Sequence, residues 1–204
     1  YYALKDLRLG DRVNIINRLT HETIEKVSNF YENIYEENLR MNEIYRSIKV
    51  PIPVEFRYAA EHTLGKRLDE AVREWGSQGF PAKRTLPVYR VIDSAKALDI
   101  QVHKSPIAKY LSDELASLVR GFVAEPGAAA IERSLSILKL SRKIDVFLDK
   151  RVAQDDLFSL VRSWKSIVQA VPPVIREQEN HFLQLMEELD LSTDRVRKMF
   201  GHAA

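Results

Sequence analysis

From Asp11 to Ile48 the chain carries no glycine or proline, and at Lys49-Val50-Pro51-Ile52-Pro53 it stops abruptly. Alternating steps of four and three residues from Ile16 pass through Thr20, Thr23, Val27, Phe30, Ile34, Glu37, Met41, Ile44 and Ile48. Seven of these ten positions are apolar. That is the period of an amphipathic helix, and Leu19, Ile24, Tyr31, Tyr35 and Tyr45 widen its stripe on both sides. So wide a stripe predicts burial against two or more helices rather than a two-stranded coiled coil. At about 1.5 Å per residue the helix would be on the order of 55 Å long and would set the long axis of the domain. A break or kink near Thr20-His21 would shorten it. Pro51 and Pro53 lack the N–H a continuing helix needs, so the helix ends there.

The rest of the chain repeats this grammar. Pro53 fits the first turn of a second helix that runs to about Glu74. Trp75-Gly76-Ser77-Gln78-Gly79-Phe80-Pro81 is the clearest loop and the best place for a subdomain boundary near 75–84. Further helices are predicted over Thr85–Leu98, Ser105–Val123, Ala128–Phe147, Lys150–Val168 and Pro172–Leu189. A short last helix is capped by Ser192 or Thr193 and ends near Phe200. Alternation of the strand kind never lasts more than about four residues. The expected fold is therefore all-α, a bundle of about seven to eight helices with one very long N-terminal helix. It is read as a single domain spanning residues 1–204.

Composition narrows the function classes. Apolar residues make up 45% of the 204, enough for a core, and the formal net charge is only +2, so no strong field selects nucleic acid or an anionic membrane. The basic positions Arg133, Lys139, Arg142, Lys143, Lys150 and Arg151 are offset by Glu132, Asp145 and Asp149 and lack interleaved aromatics, so they do not make a nucleic-acid face. There is no cysteine, which removes disulfides, thiolate catalysis and cysteine-ligated zinc and fits a reducing, cytoplasmic compartment. No apolar run approaches the roughly 18 residues that span a bilayer, and no secretory signal is visible. A chain beginning at Tyr1 without methionine is expected to be a piece of a longer one, and Gly201-His202-Ala203-Ala204 fits a native terminus.

No catalytic, cofactor or metal residue can be nominated. His21-Glu22-Thr23-Ile24-Glu25 begins like a zinc-protease helix, but Glu25 stands where the second histidine would be. The Glu-x-x-His pairs of a di-iron bundle are missing: Glu177 and His181 are four apart, Glu61 and His62 adjacent. Glu32, Glu36, Glu37 and Glu43 interleave with Tyr31, Tyr35 and Tyr45, a combination that can serve sugar chemistry, although carboxylates at this spacing usually form a solvated face. Glu37 differs because it falls on the apolar seam. A seam carboxylate is expected to be buried and paired with an arginine, Arg57 or Arg67, and the same expectation extends to Glu61. Trp164 lies on the stripe Val161, Trp164, Ile167, Val168 and reads as core. Trp75, beside the loop, reads as a packing residue that could also stack on a sugar. Glu37, Glu61, Tyr35 and Trp75 are thus the candidate structural or cleft-bordering residues.

The pattern Phe30-Tyr31-x-x-Ile34-Tyr35-x-x-Asn38, Met41, then Ile52-Pro53-x-x-Phe56-x-x-Ala59-Ala60-Glu61-x-x-Leu64 resembles a helical domain of unknown function. That domain follows the catalytic barrel in a group of bacterial proteins like glycoside hydrolase family 57. A second stretch, Asp149-Lys150-Arg151-Val152-Ala153-Gln154-Asp155-Asp156-Leu157-Phe158, resembles the family's segment ending in a Gln-Asn pair and an aromatic. Asp155 replaces that asparagine here, and Gly65 stands where a polar residue is expected. The resemblance implies an upstream barrel in the same polypeptide as partner, with the catalytic carboxylates and the α-glucan contacts lying there. It implies no cofactor, and for this chain a supporting, non-catalytic role. A free-standing helical interaction or regulatory module is the alternative, and an independent carbohydrate-binding module a third.

Overall fold

The computed structural model describes residues 9–164 and 172–200. Among them the chain is wholly helical, in ten helices: α1 Leu9–Glu37, α2 Leu39–Ser47, α3 Val54–Ser77, α4 Leu86–Ala97, α5 Ser105–Ala124, α6 Ala128–Lys143, α7 Arg151–Ser163, α8 Pro173–Glu177, α9 Glu179–Glu188 and α10 Asp194–Met199. The all-α multi-helix bundle expected from the periodicity is what the chain forms. It divides into two compact units, Tyr1–Leu68 with Asp93–His103, and Asp69–Ile92 with Lys104–Ala204, so that α3 and α4 each contribute to both.

The very long first helix is shorter than its sequence run. It passes straight through Thr20-His21 and breaks at Asn38, leaving 29 residues in α1 and nine in α2. The cause is local. The Asn38 side-chain amide donates to the Ile34 carbonyl at 2.8 Å, the same oxygen its backbone N–H reaches at 3.2 Å. Asparagine that hydrogen-bonds back to the i−4 carbonyl competes with the helical ladder and bends it. Asn38 accordingly sits at φ −105°, ψ 7°.

Four helices end on a stop that is not glycine, and of the four only α6 ends as much as a turn away from its expected place. Lys49, Asp99, Asp145 and Asp190 adopt left-handed backbone, φ 54–57°. The residue after each donates back five positions: Val50 to Tyr45, Ile100 to Ala95, Val146 to Ser141 and Leu191 to Met186, at 2.8–2.9 Å. This is the Schellman closure of a helix C-terminus, here built on aspartate and lysine. It explains why α6 ends at Lys143 rather than at Phe147, which stands 92% exposed in the following loop. The helix expected from Pro172 to Leu189 is interrupted at Gln178 (φ −110°, ψ 25°). Pro53 precedes α3 as its cap residue, its carbonyl accepting from the Arg57 N–H at 3.0 Å, one position earlier than expected. Of the stretch expected to be helical as far as Val168, residues 165–168 lie outside the described residues, as does the 201–204 end.

In the second unit, α5 buries Ile107, Leu111, Leu115, Val119 and Phe122, one stripe at helical spacing. It packs on α6 and α7, and α6 packs on α9. Phe182 of α9 is fully buried against Phe122 and Trp164, with ring centroids 5.9 and 5.6 Å apart. Trp164, expected in the core, is half-buried, and its stripe partners Ile167 and Val168 lie outside the described residues. In the first unit, Ala59, Ala60, Thr63, Leu64 and Leu68 give α3 its buried face, joined by Tyr35, Ala95, Leu98 and Ile100.

The wide stripe of α1 meets a different fate from the one its period predicts. The face turned to α3 is the one bearing Ser28, Tyr31 and Tyr35: His62 lies 3.3 Å from the Ser28 hydroxyl, and its ring is 5.0 Å from that of Tyr31. The apolar seam beside it, Ile16, Leu19, Val27 and Phe30, stays exposed, as do Met41, Ile44 and Ile48 after the break. One helix face suffices to pack on α3, and nothing else among the described residues covers the other.

The segment Asp149–Phe158 acts as a fastener. The Lys150 ammonium donates to the Glu188 carbonyl at 2.7 Å and to Asp190 Oδ2 at 2.9 Å, and the Gln154 amide donates to the Leu189 carbonyl at 2.7 Å. Both satisfy carbonyls left open at the end of α9. Asp149, just before α7, accepts from the Arg151 N–H at 3.1 Å and pairs with its guanidinium. The hydrogen bonds from Arg151 hold the Asp149 carboxyl at about 2, below its ordinary 3.8. A carboxyl pKa lowered by folding contributes stability above the unfolded value and loses it as the pH falls through the folded one. The Asp149 carbon resonance should therefore titrate with a midpoint near 2, and its stabilising contribution should fade between about pH 4 and 2. In Arg151→Ala the midpoint should return toward 3.8. An unchanged midpoint in that variant would refute the assignment.

Candidate functional site

The four residues singled out from sequence separate on folding. In the first unit Tyr35 is buried, and its hydroxyl is raised above the usual phenol range by that burial, against the opposing pull of Arg67. The Arg67 guanidinium lies 5.5 Å from the Tyr35 ring centre, donates to Glu32 at 3.0 Å and closes on Glu36. Lys66 approaches Glu32 at 3.9 Å. Burial disfavours the Arg67 charge, but its bonds to Glu32 and Glu36 outweigh this and raise its pKa.

Arg67, one of the two arginines expected to pair with Glu37, pairs instead with Glu32 and Glu36. The expectation that Glu37 or Glu61 is the buried, paired carboxylate is corrected. Glu37 is exposed at the last position of α1, Glu61 is half-exposed, and neither forms an ion pair among the described residues. The reason is register. The α1 face that meets α3 carries positions 28, 31, 32, 35 and 36, and Glu37 lies off it, with the exposed seam. The hub is a clamp between α1 and α3, with Glu32 and Glu36 both answered by Arg67.

The second unit holds the candidate site, and Trp75 is part of it. A cavity of about 520 Å³ is lined by Trp75, Ala82, Thr85, Tyr89, Glu132, Leu135, Ser136, Lys139, Leu140, Lys143, His181 and Gln184. Positions 132, 136, 139 and 143 follow one another along a single face of α6, which is why one helix supplies so much of the wall. Trp75, in the last turn of α3, is buried as a packing residue. Its ring meets Phe80 edge-on at 4.9 Å, and its indole N–H donates to the Pro81 carbonyl at 2.9 Å, so it offers the cavity a rigid apolar wall rather than a free stacking face. Gly76 beside it has no room for a side chain, since a Cβ there would run into the Tyr110 hydroxyl and the Phe80 ring.

The polar part of the lining comes from α4, α6 and α9. The Lys143 ammonium sits 4.0 Å from the Tyr89 ring centre, a cation–π contact. His181 Nδ1 lies 2.7 Å from Gln178 Oε1, which leaves Nε2 unspent. The Ser136 hydroxyl donates to the Glu132 carbonyl at 2.9 Å, an intrahelical bond. Sequence reading grouped Lys139 and Lys143 only as part of a diffuse basic region. Their i,i+4 spacing was the available signal, but it acquires meaning only when α9 is brought opposite. Among the described residues no three acidic or histidine side chains converge as a metal site, and no helix is long and apolar enough to cross a membrane. Compared with protein-family models, curated proteins and solved structures, the chain gives no match.

Proposed function

We propose that this chain is a non-catalytic helical accessory domain of a protein like those of glycoside hydrolase family 57, packing on and supporting an upstream catalytic barrel of the same polypeptide. The observation that carries the reading is the exposed seam of α1. Leu19, Ile24 and Phe30 are 56%, 58% and 61% exposed, and Ile16 and Val27 extend the same side of the helix. A contiguous apolar strip on a helix marks a surface that another body covers. The Phe30–Leu64 pattern supplies the kind of body. On this reading the parent is a bacterial cytoplasmic enzyme of α-glucan metabolism, and the carboxylates that cleave sugar belong to the barrel. The Arg67 hub serves to hold α1 against α3 so that the seam is presented.

The polypeptide preceding Tyr1 supplies the first test, because the reading requires a catalytic barrel there. With the barrel expressed separately, this chain should bind it, and Leu19→Ser with Phe30→Ser should abolish the complex without lowering the melting temperature of the chain. Absence of a barrel, or a complex indifferent to both substitutions, overturns it. The same seam on a chain without a barrel would fit a free-standing interaction module, which self-association lost in the same double variant would reveal.

A further inference from the structure

We infer that the open cavity lined by α3, α4, α6 and α9 in the second unit binds a small organic anion, a carboxylate or phosphate ester with an apolar body. The volume, about 520 Å³, is that of sites that enclose small molecules. Its apolar side is built from buried side chains, Trp75, Leu135 and Leu140, and suits a hydrocarbon or aromatic body. Its polar side carries a positive excess. Lys139 and Lys143 both line the cavity, and among the described residues neither is matched by a carboxylate. Glu132 is the single acidic residue in the lining.

The contrast with the neighbouring cations is what singles these two out. Arg142 is paired with Glu188, Lys150 with Asp190, and Lys104 is spent on the Ile144 carbonyl at 2.8 Å. The lysines that fasten the unit have fixed partners, whereas the two that face the cavity do not. Lys143 is nonetheless held in place by its contact with Tyr89. A lysine fixed on a ring but lacking a counter-charge is positioned for an anion from outside. His181, with Nε2 unspent, and Gln184 stand on the facing helix as further hydrogen-bonding groups. This site belongs to the second unit alone and does not depend on the barrel partnership proposed above.

The test is an NMR titration of the chain with 4-phenylbutyrate, with phenyl phosphate, and with the neutral 4-phenylbutanamide. The expected result is saturable shifts of the Trp75 indole and His181 ring signals for at least one anion, and binding of the amide at least about tenfold weaker. In Lys139→Gln with Lys143→Gln the anion affinity should fall by about tenfold or more, the loss expected for one charge-assisted contact. The ranking of the two anions names the headgroup. Both lysine side chains are exposed, so the fold should survive, and Lys109→Gln, which lines a different pocket of the same unit, should leave binding unchanged. No saturable shift with either anion at millimolar concentration, equal binding of the amide, or undiminished affinity in the cavity variant overturns the inference.

Discussion

Phe182→Ala should lower the stability of the second unit by about 3–5 kcal/mol, the range for truncating a fully buried aromatic whose cavity cannot collapse. Phe182 has no exposed surface and touches rings on two sides, Phe122 and Trp164, so removing it deletes its own burial and leaves two aromatics facing a void. It also lies on α9, where Leu183, Leu185 and Met186 share the core, so the loss is felt along the helix that packs on α6. Phe147→Ala supplies the control. The same chemical change at a residue 92% exposed should stay within about 0.5 kcal/mol of wild type. Urea unfolding of the two variants, followed by far-ultraviolet circular dichroism, measures both. Comparable losses in the two would mean that α9 does not anchor the unit.

That contrast between two phenylalanines also shows how far the sequence could be read. Helical period together with proline and glycine punctuation located every major helix, but a buried face was read only for the first, whereas α5 buries its apolar stripe because α6 and α7 both pack on it. Phe147 was misplaced because the helix before it stops on Asp145 in left-handed backbone, and aspartate carries a weaker stop signal than glycine. The α1 seam was misread for a different reason. Helical period reports which residues share a face, not whether the chain itself contains the surface that covers it.

The candidate sites divide along the same line. Arg67 was legible only as one of two candidate partners for Glu37, with Arg57, and its pairing with Glu32 and Glu36 depends on the register of α1 on α3, where one residue of rotation reassigns the pair. Trp75 was legible as a packing residue beside a loop. The cavity it borders was not, since Lys143, Tyr89 and His181 come from three helices and only the packing brings them together.

Asn42→Leu should make the first unit more stable, by about 1–3 kcal/mol, against the usual direction of core substitutions. Asn42, on α2, is fully buried, and neither its carbonyl oxygen nor its amide nitrogen has a hydrogen-bond partner among the described residues. A buried polar group without a partner costs about 1–3 kcal/mol relative to water, and replacing it by an apolar group of similar volume removes that cost. The position inverts the seam reading: Met41 and Ile44, on the predicted stripe, are exposed, and the burial falls on the asparagine between them. Asn42→Asp tests the same argument from the other side. It would place a carboxylate where an amide already lacks partners, and a buried unpaired charge destabilises by several kcal/mol, about 3–5 where such pairs have been broken. The Asp variant should regain part of its stability as the carboxyl is protonated at low pH. Unfolding midpoints in urea at pH 7 should therefore rank Leu above wild type and wild type well above Asp. A Leu variant less stable than wild type would show that the Asn42 amide is satisfied in solution, and that the unit is more complete than its described contacts.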